Sequence, residues 1–116
     1  MHLFMLKSKL HRARVTDANV DYEGSLTLSD DLMKLAKIEP YERVLVGNLN
    51  NGERFETYVI PGRKGKTEVC LNGATAHLGK VGDRLTIMFF ALIDADKVAT
   101  HKPVSVTLDE NNKPVA

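Results

Sequence analysis

Val44-Leu45-Val46-Gly47-Asn48-Leu49-Asn50-Asn51-Gly52-Glu53-Arg54-Phe55-Glu56-Thr57-Tyr58-Val59-Ile60 reads as two β-strands joined by a tight turn. β-Branched and aromatic residues flank Asn50-Asn51-Gly52, and an Asn-Gly pair suits the positive φ angles that short hairpin turns require. The hairpin presents Arg54, Thr57 and Tyr58, with Arg54 and Tyr58 four apart and so on one face of a strand. Short β-like segments separated by turn residues recur on both sides of it. Residues 3–10 and 13–20 read as two strands, and Leu26-Thr27-Leu28 as another. Residues 67–71 form a strand ending at Asn72-Gly73, residues 84–92 the most apolar and central one, and 104–108 an edge strand. Ser29 is placed to cap a helix with Asp30 and Asp31 in its first turn, Leu32, Leu35 and Ala36 on one face and Pro40 as its stop. Residues 61–66 make a polar loop, residues 74–78 one helical turn, and residues 109–116 a loose end. The class is mainly β, a small barrel or sandwich in a single domain of residues 1–116.

Composition narrows the functions available. Sixteen basic residues against fifteen acidic ones, scattered along the chain, leave no footprint for nucleic acid or an anionic membrane surface. No apolar run approaches the length of a membrane span, and the N-terminal apolar stretch is too short for a secretory signal, so a cytoplasmic location is expected. One cysteine, Cys70 in the apolar run Val69-Cys70-Leu71, suits a reducing compartment and reads as a buried small hydrophobe. Four dispersed histidines and one cysteine make no metal-ligand cluster, so no metal is expected. His77 and His101 have no partner acid or nucleophile at a recognisable spacing.

Tyr22-Glu23-Gly24-Ser25 admits two readings. Gly-Ser is a common turn dipeptide. It is also a bond a chain can cut by itself: a glycine that tolerates positive φ exposes its carbonyl, and the Ser25 hydroxyl attacks it. The amide then shifts to an ester, β-elimination frees a Gly24 carboxylate and leaves dehydroalanine, and hydrolysis converts that to a pyruvoyl group. Lys9 and His11, two apart, share a strand face and line either an anionic pocket or a solvated edge beside Arg12 and Arg14. Asn72-Gly73 is either a turn or a side-chain amide with exposed backbone N–H groups aimed at a reacting oxygen.

Together these segments match one family. Lys9-Leu10-His11-Arg12-Ala13, Thr16-Asp17-Ala18, Tyr22-Glu23-Gly24-Ser25, Asn51-Gly52-Glu53-Arg54-Phe55 with Thr57-Tyr58, Asn72-Gly73-Ala74 and Val81-Gly82-Asp83 occur in order over residues 1 to about 95. The chain closely resembles pyruvoyl-dependent aspartate 1-decarboxylase. The resemblance implies a six-stranded double-psi β-barrel with short helices and a homotetramer with active sites between subunits. It further implies conversion of L-aspartate to β-alanine and CO2 for pantothenate synthesis, with a covalent pyruvoyl group derived from Ser25 as cofactor. It implies cleavage between Gly24 and Ser25 into residues 1–24 and 25–116, assisted by Thr57. The substrate amine would then condense with the ketone, and Tyr58 would donate the proton to the decarboxylated carbon. Arg54, Lys9 and His11 correspond to pocket residues that meet substrate carboxylates, and Tyr22, Asn72, Gly73, Ala74 and Thr57 to the walls and hydrogen-bonding groups. Maturation aided by an accessory factor is compatible with the sequence. Two departures stand out: Gly47 where many family members carry a bulky aromatic, and Thr75 within a usual Asn-Gly-Ala-Ala-Ala run. A non-enzymatic barrel that binds an anionic partner, and a pyruvoyl enzyme for another amino acid, are the competing readings; the first predicts a chain that stays intact.

Overall fold

The computed structural model describes residues 1–62, 65 and 67–115. Among these residues the chain forms β1 (His2–Arg14), β2 (Asp17–Asn19), β3 (Ser25–Leu28), β4 (Arg43–Asn48), β5 (Arg54–Pro61), β6 (Val69–Asn72), β7 (Arg84–Asp94) and β8 (Val104–Thr107). One helix, α1 (Asp30–Ala36), and 3-10 turns at Gly73–His77 and Ala95–Thr100 complete it. The strands hydrogen-bond in the order β2-β6-β3-β5-β4-β7-β1-β8. β1 and β2 stand towards opposite ends of that order, yet only Val15 and Thr16 separate them in the chain. The ends must therefore meet. The Thr16 N–H donates to the Val69 carbonyl at 2.8 Å and the Val15 N–H to the Asp83 carbonyl at 2.9 Å, which closes the sheet into a barrel. Among the described residues eight strands are formed where six were expected, the short β2 and β8 occupying the two ends of the order.

The barrel is held from within. Leu10, Ala13, Val15, Leu26, Leu28, Val44, Val46, Val59, Leu71, Leu85, Ile87 and Phe89 form a buried core that α1 extends with Leu32, Met33 and Ala36. Each fully buried side chain of this size stabilises the fold by roughly 1.5–3 kcal/mol, so the alternate positions of β4 and β7 are committed inward. β7 lies between β1 and β4, in the central place expected of the most apolar strand.

Several local expectations change. The two strands expected over residues 3–20 are one long strand, β1, and the three-residue β2. The register of β1 against β7 slips between His11 and Ala13, where Arg12 takes a φ of 67°. This extra residue is a β-bulge, and it explains how Leu10 and Ala13, three apart, can both point into the core. Ser29 precedes α1 but makes no side-chain cap; its Oγ accepts the Glu68 N–H at 3.0 Å and so ties the start of the helix to the residue before β6. Nor does Pro40 end the helix. Lys37 adopts a left-handed φ of 56°, with Lys37 N–H to the Lys34 carbonyl and Ile38 N–H to the Met33 carbonyl, a Schellman-type stop. The polar loop expected over residues 61–66 falls partly outside the described residues.

The expected loose end is pinned. Asn112 is buried, its Oδ1 accepts the Arg14 N–H at 2.7 Å, and its Nδ2 donates to the carbonyls of Arg14 and Thr67. The carboxamide takes the place of a strand partner at the end of β1. Leu108 then bridges Pro114, and the Val115 N–H reaches the Thr107 carbonyl.

Candidate active site

β3 starts at Ser25 and is buried at all four residues, because it runs between β5 and β6. Ser25 pairs with Asn72 across the antiparallel β3–β6 ladder, and directly opposed residues share a face. That pairing sets the contact: Asn72 Nδ2 donates to Ser25 Oγ at 3.0 Å, while the Ser25 hydroxyl donates to the Glu23 carbonyl at 3.1 Å. Ser25 is wholly buried and, among the described residues, no imidazole, amine or carboxylate bonds its hydroxyl. Thr75, in the 3-10 turn after β6, donates to the Asn72 carbonyl at 2.8 Å and lies 3.5 Å from the Ser25 carbonyl oxygen. The partner that the sequence leaves unnamed for this hydroxyl is the main chain on both sides of the Ser25–Asn72 pair.

The segment before Ser25 is shaped by two features. The Asn19 side chain accepts the Asp21 N–H at 3.0 Å, turning the chain after β2. Gly73, with a φ of 62°, then lets the turned segment lie directly on it: a Cβ at Gly73 would stand 2.6 Å from Gly24 Cα, 2.7 Å from Gly24 N and 2.9 Å from the Tyr22 carbonyl oxygen. Positive φ is therefore used at Gly73 and not, as expected, at Gly24, where an added Cβ would meet nothing within 4 Å. Gly24 is exposed and Gly73 buried beneath it.

A cavity of about 350 Å³ opens on Ser25, lined by Tyr22, Glu23, Tyr41, Tyr58, Ile60, Pro61 and Gly62. Its size lies at the small end of the range for small-molecule sites. Tyr58 and Tyr41 stack loosely across it, ring centroids 6.4 Å apart at 36°. Parallel pairing of Leu26 with Val59, continued backwards, sets Ser25 beside Tyr58 and Gly24 beside Thr57. Among the described residues no hydrogen bond joins the Thr57 hydroxyl to Gly24. A second cavity of about 190 Å³, lined by Asp17, Thr27, Glu68, Cys70 and Asn72 among others, shares Tyr22, Ile60 and Pro61 with the first. Asn72 reaches from this second cavity to Ser25. Cys70 is buried as expected, and burial, with the Glu68 carboxylate beside it, pushes its thiol up to about 12.

Lys9, His11 and Arg54 stand elsewhere. His11 pairs with Thr86, Thr86 with Gly47 and Gly47 with Arg54, so one cross-strand row carries both His11 and Arg54 on the outward face of the barrel. Lys9 lies in the neighbouring row, opposite Met88 and, beyond it, Leu45. Three strand spacings separate His11 from Arg54, about 14 Å at the backbone, a gap that long side chains can narrow. Gly47 keeps the row between them low, a Cβ there coming within 3.2 Å of the Thr86 methyl. His11 Nδ1 is buried without a hydrogen-bond partner among the described residues, and burial together with Lys9, Arg12 and Arg84 lowers the pKa of its ring. None of Lys9, His11 and Arg54 lines the Ser25 cavity of the same chain.

The fold thus brings Tyr22, Ser25, Tyr58, Asn72 and Gly73 together, with Thr57 adjoining, and leaves Lys9, His11 and Arg54 outside the cavity, on other rows of the outward face that also carries Tyr58. Ala74 is exposed at the start of the 3-10 turn. Thr27 and Tyr41 are unforeseen members. Thr27 was open to detection, since it follows Ser25 by two residues in a strand; Tyr41 enters through a left-handed φ of 74° that no sequence signal announces.

The family model described as aspartate decarboxylase matches residues 1–115. A protein of Thermoanaerobacter pseudethanolicus named aspartate 1-decarboxylase is 51% identical over 115 residues, covering 99% of this chain and 98% of its own. Another of that name, from Syntrophobacter fumaroxidans, is 51% identical over 116 residues, covering 100% of this chain and 94% of its own. A third, from Caldicellulosiruptor bescii, is 52% identical over 113 residues, covering 97% and 88%. Among solved structures, that of the computationally designed msDPBB_sym2 protein aligns with 75% of this chain and 99% of its own, at 18% identity and a TM-score of 0.49.

Proposed function

The chain belongs to the aspartate decarboxylase family, and on that premise we propose that it cuts itself between Gly24 and Ser25 and then decarboxylates L-aspartate to β-alanine and CO2 for pantothenate synthesis. The observation that carries this reading is a buried serine hydroxyl, clasped by Asn72 and Glu23, at the wall of a small cavity directly after an exposed glycine. Ser25 Oγ reaches the Gly24 carbonyl carbon through a five-membered ring, so geometry substitutes for a strong base. The C–N bond then opens to leave a Gly24 ester on Oγ and a free Ser25 amine. Loss of the Cα proton and cleavage of the Cβ–Oγ bond give dehydroalanine and a Gly24 carboxylate. Water completes the sequence, releasing ammonia.

The site fits the pyruvoyl group that would result. Ser25 opens a strand that is paired on both sides, and Thr75 lies beside its carbonyl oxygen, so a new chain end there would stay fixed beside the cavity. A pyruvoyl group supplies a ketone that holds the substrate amine covalently and takes up the electron pair left by departing CO2. The surrounding residues do the rest. Tyr58 lines the cavity and is the proton donor to the decarboxylated carbon. Arg54 and Lys9 hold the carboxylate that stays, because a cation clamped on the leaving one would stabilise the ground state and slow its loss. Tyr22, Asn72, Gly73 and Ala74 supply walls and polar contacts, and Thr57, beside Gly24 in the continued register, assists the cut.

Lys9, His11 and Arg54 serve this chemistry from a second copy. None of the three lines the Ser25 cavity of its own chain, which favours a homotetramer with sites between subunits. A cytoplasmic location is part of the proposal, as the composition leads one to expect. Among the described residues no helix is long and apolar enough to cross a membrane. Intact mass measurement after incubation is the test. It should show residues 1–24 and a second fragment lighter than simple hydrolysis predicts by one ammonia, and this cleaved protein should release CO2 from L-aspartate. A chain that stays whole and inert under these conditions would favour the anion-binding barrel.

A further inference from the structure

Asn72 does not hold Ser25 alone. Its Nδ2 carries two hydrogens, one directed to Ser25 Oγ at 3.0 Å and the other to Thr27 Oγ1 at 2.7 Å. Register explains the triangle. Ser25 pairs with Asn72 and Thr27 with Cys70, so Ser25 and Thr27 share a face of β3 and Asn72 is opposite the first and diagonal to the second. All three side chains are buried, Ser25 at 0%, Asn72 at 4% and Thr27 at 8% exposure. Because the Ser25 hydroxyl proton is engaged by the Glu23 carbonyl, Oγ needs a donor from Asn72. An amide turned over by half a turn would set Oδ1 against that oxygen. Thr27 Oγ1, accepting the second Nδ2 hydrogen, holds the amide the useful way round.

We propose that Thr27 is a positioning residue for self-cleavage, fixing the Asn72 carboxamide so that its N–H points at Ser25 Oγ when the ester breaks. The inference rests on the self-cleavage reading given above. In the elimination step the Cα–H pair becomes the Cα=Cβ bond, the proton passes to water, the Cβ–Oγ bond breaks and its electron pair stays on Oγ. Oγ is by then an oxygen of the Gly24 carboxylate. Charge therefore develops on the atom that Asn72 Nδ2 faces, and a donor held there in advance lowers the barrier to elimination. With Thr27 replaced by an apolar isostere, the second Nδ2 hydrogen loses its partner and the amide is free to turn.

Purified wild type, Thr27→Val, Thr27→Ala and Thr27→Ser are incubated, and release of residues 1–24 is followed by mass spectrometry. Parallel samples are treated with hydroxylamine, which cleaves an ester at Gly24 to a hydroxamate and leaves residues 25–116 with an intact serine. Thr27→Val and Thr27→Ala should release the fragment about 10- to 100-fold more slowly and accumulate hydroxylamine-cleavable ester, while Thr27→Ser matures near the wild-type rate. Melting curves show which variants are folded, and Thr27→Ala carries the comparison where Val does not pack. Folded hydroxyl-free variants that mature at the wild-type rate, or a Thr27→Ser chain as slow as Thr27→Val without extra ester, overturn the role of Thr27. Wild type that never releases residues 1–24 overturns the self-cleavage reading, and this inference with it.

Discussion

Replacing Gly73 with alanine should stall the cut while leaving the barrel standing. The added Cβ would lie 2.6 Å from Gly24 Cα, whereas ordinary contact begins near 3.4 Å, so the Gly24 segment must retreat by the difference, 3.4 − 2.6 = 0.8 Å. Gly73 also sits at a φ of 62°, where an alanine pays about 1–2 kcal/mol for its Cβ. Overpacking adds about 1–3 kcal/mol if the segment resists, giving a total loss of about 2–5 kcal/mol if it is not relieved by movement. Movement relieves the strain, and at the cost of geometry: a misplacement near 1 Å at reacting atoms slows a reaction by about 100-fold. The assay follows the intact chain and its two fragments over time by denaturing gel and mass spectrometry, with far-UV circular dichroism and melting curves to show that the variant is folded. Gly24→Ala is the stability control, since its Cβ meets nothing within 4 Å and its melting should stay within about 0.5 kcal/mol of wild type. A folded Gly73→Ala chain that cuts itself within about threefold of the wild-type rate would refute the argument that this close approach aligns the bond.

Four further outcomes are expected. Asn112→Ala should lower stability by about 2–3 kcal/mol in denaturant titration, because it strips three part-buried hydrogen bonds from β1 and the segment before β6; a loss within about 0.5 kcal/mol would show the tail to be dispensable. Above pH 9.0 an unfolded Cys70 thiol gives up its proton while the folded one keeps it until about 12, so the folded state binds more protons and stability falls as pH rises through that window. Melting curves should show this alkaline loss, up to about 1.4 kcal/mol per pH unit, flattened in Cys70→Ala, and an identical slope in both proteins would contradict it. Arg54→Lys should raise KM for L-aspartate about tenfold or more, since bidentate geometry is lost; steady-state kinetics with an unchanged KM would remove Arg54 from the carboxylate. Tyr58→Phe should still cleave itself yet lose CO2 release, and wild-type turnover in that variant would end the donor assignment.

Much of this protein could be read locally. The hairpin around Asn50-Asn51-Gly52, the strand that became β3, the central β7 and the edge β8 each announce themselves through turn chemistry and apolar runs, which depend on neighbours in sequence alone. Bulges resist such reading. The slip at Arg12 follows from how β1 must bend to meet β7 on one side and release β2 on the other, and no residue type dictates it. The tail looked loose because its composition is polar, whereas Asn112 finds its partners 98 residues back in the chain, at Arg14.

The sequence by itself determined a small, mainly β domain and marked the Gly24-Ser25 bond as its candidate chemical centre, together with the residue types around it. Periodicity, turn propensity and reactive groups are properties of short segments, and short segments suffice to reveal them. Only the tertiary structure decided that Asn72 opposes Ser25, that Gly73 rather than Gly24 carries the left-handed backbone, and that Thr27 and Thr75 brace the pair. It also decided that Lys9, His11 and Arg54 face outward from the barrel without lining the cavity beside Ser25. The reason is register: strand pairing between segments tens of residues apart fixes which side chains meet, and a slip of one residue would turn each of them to the opposite face.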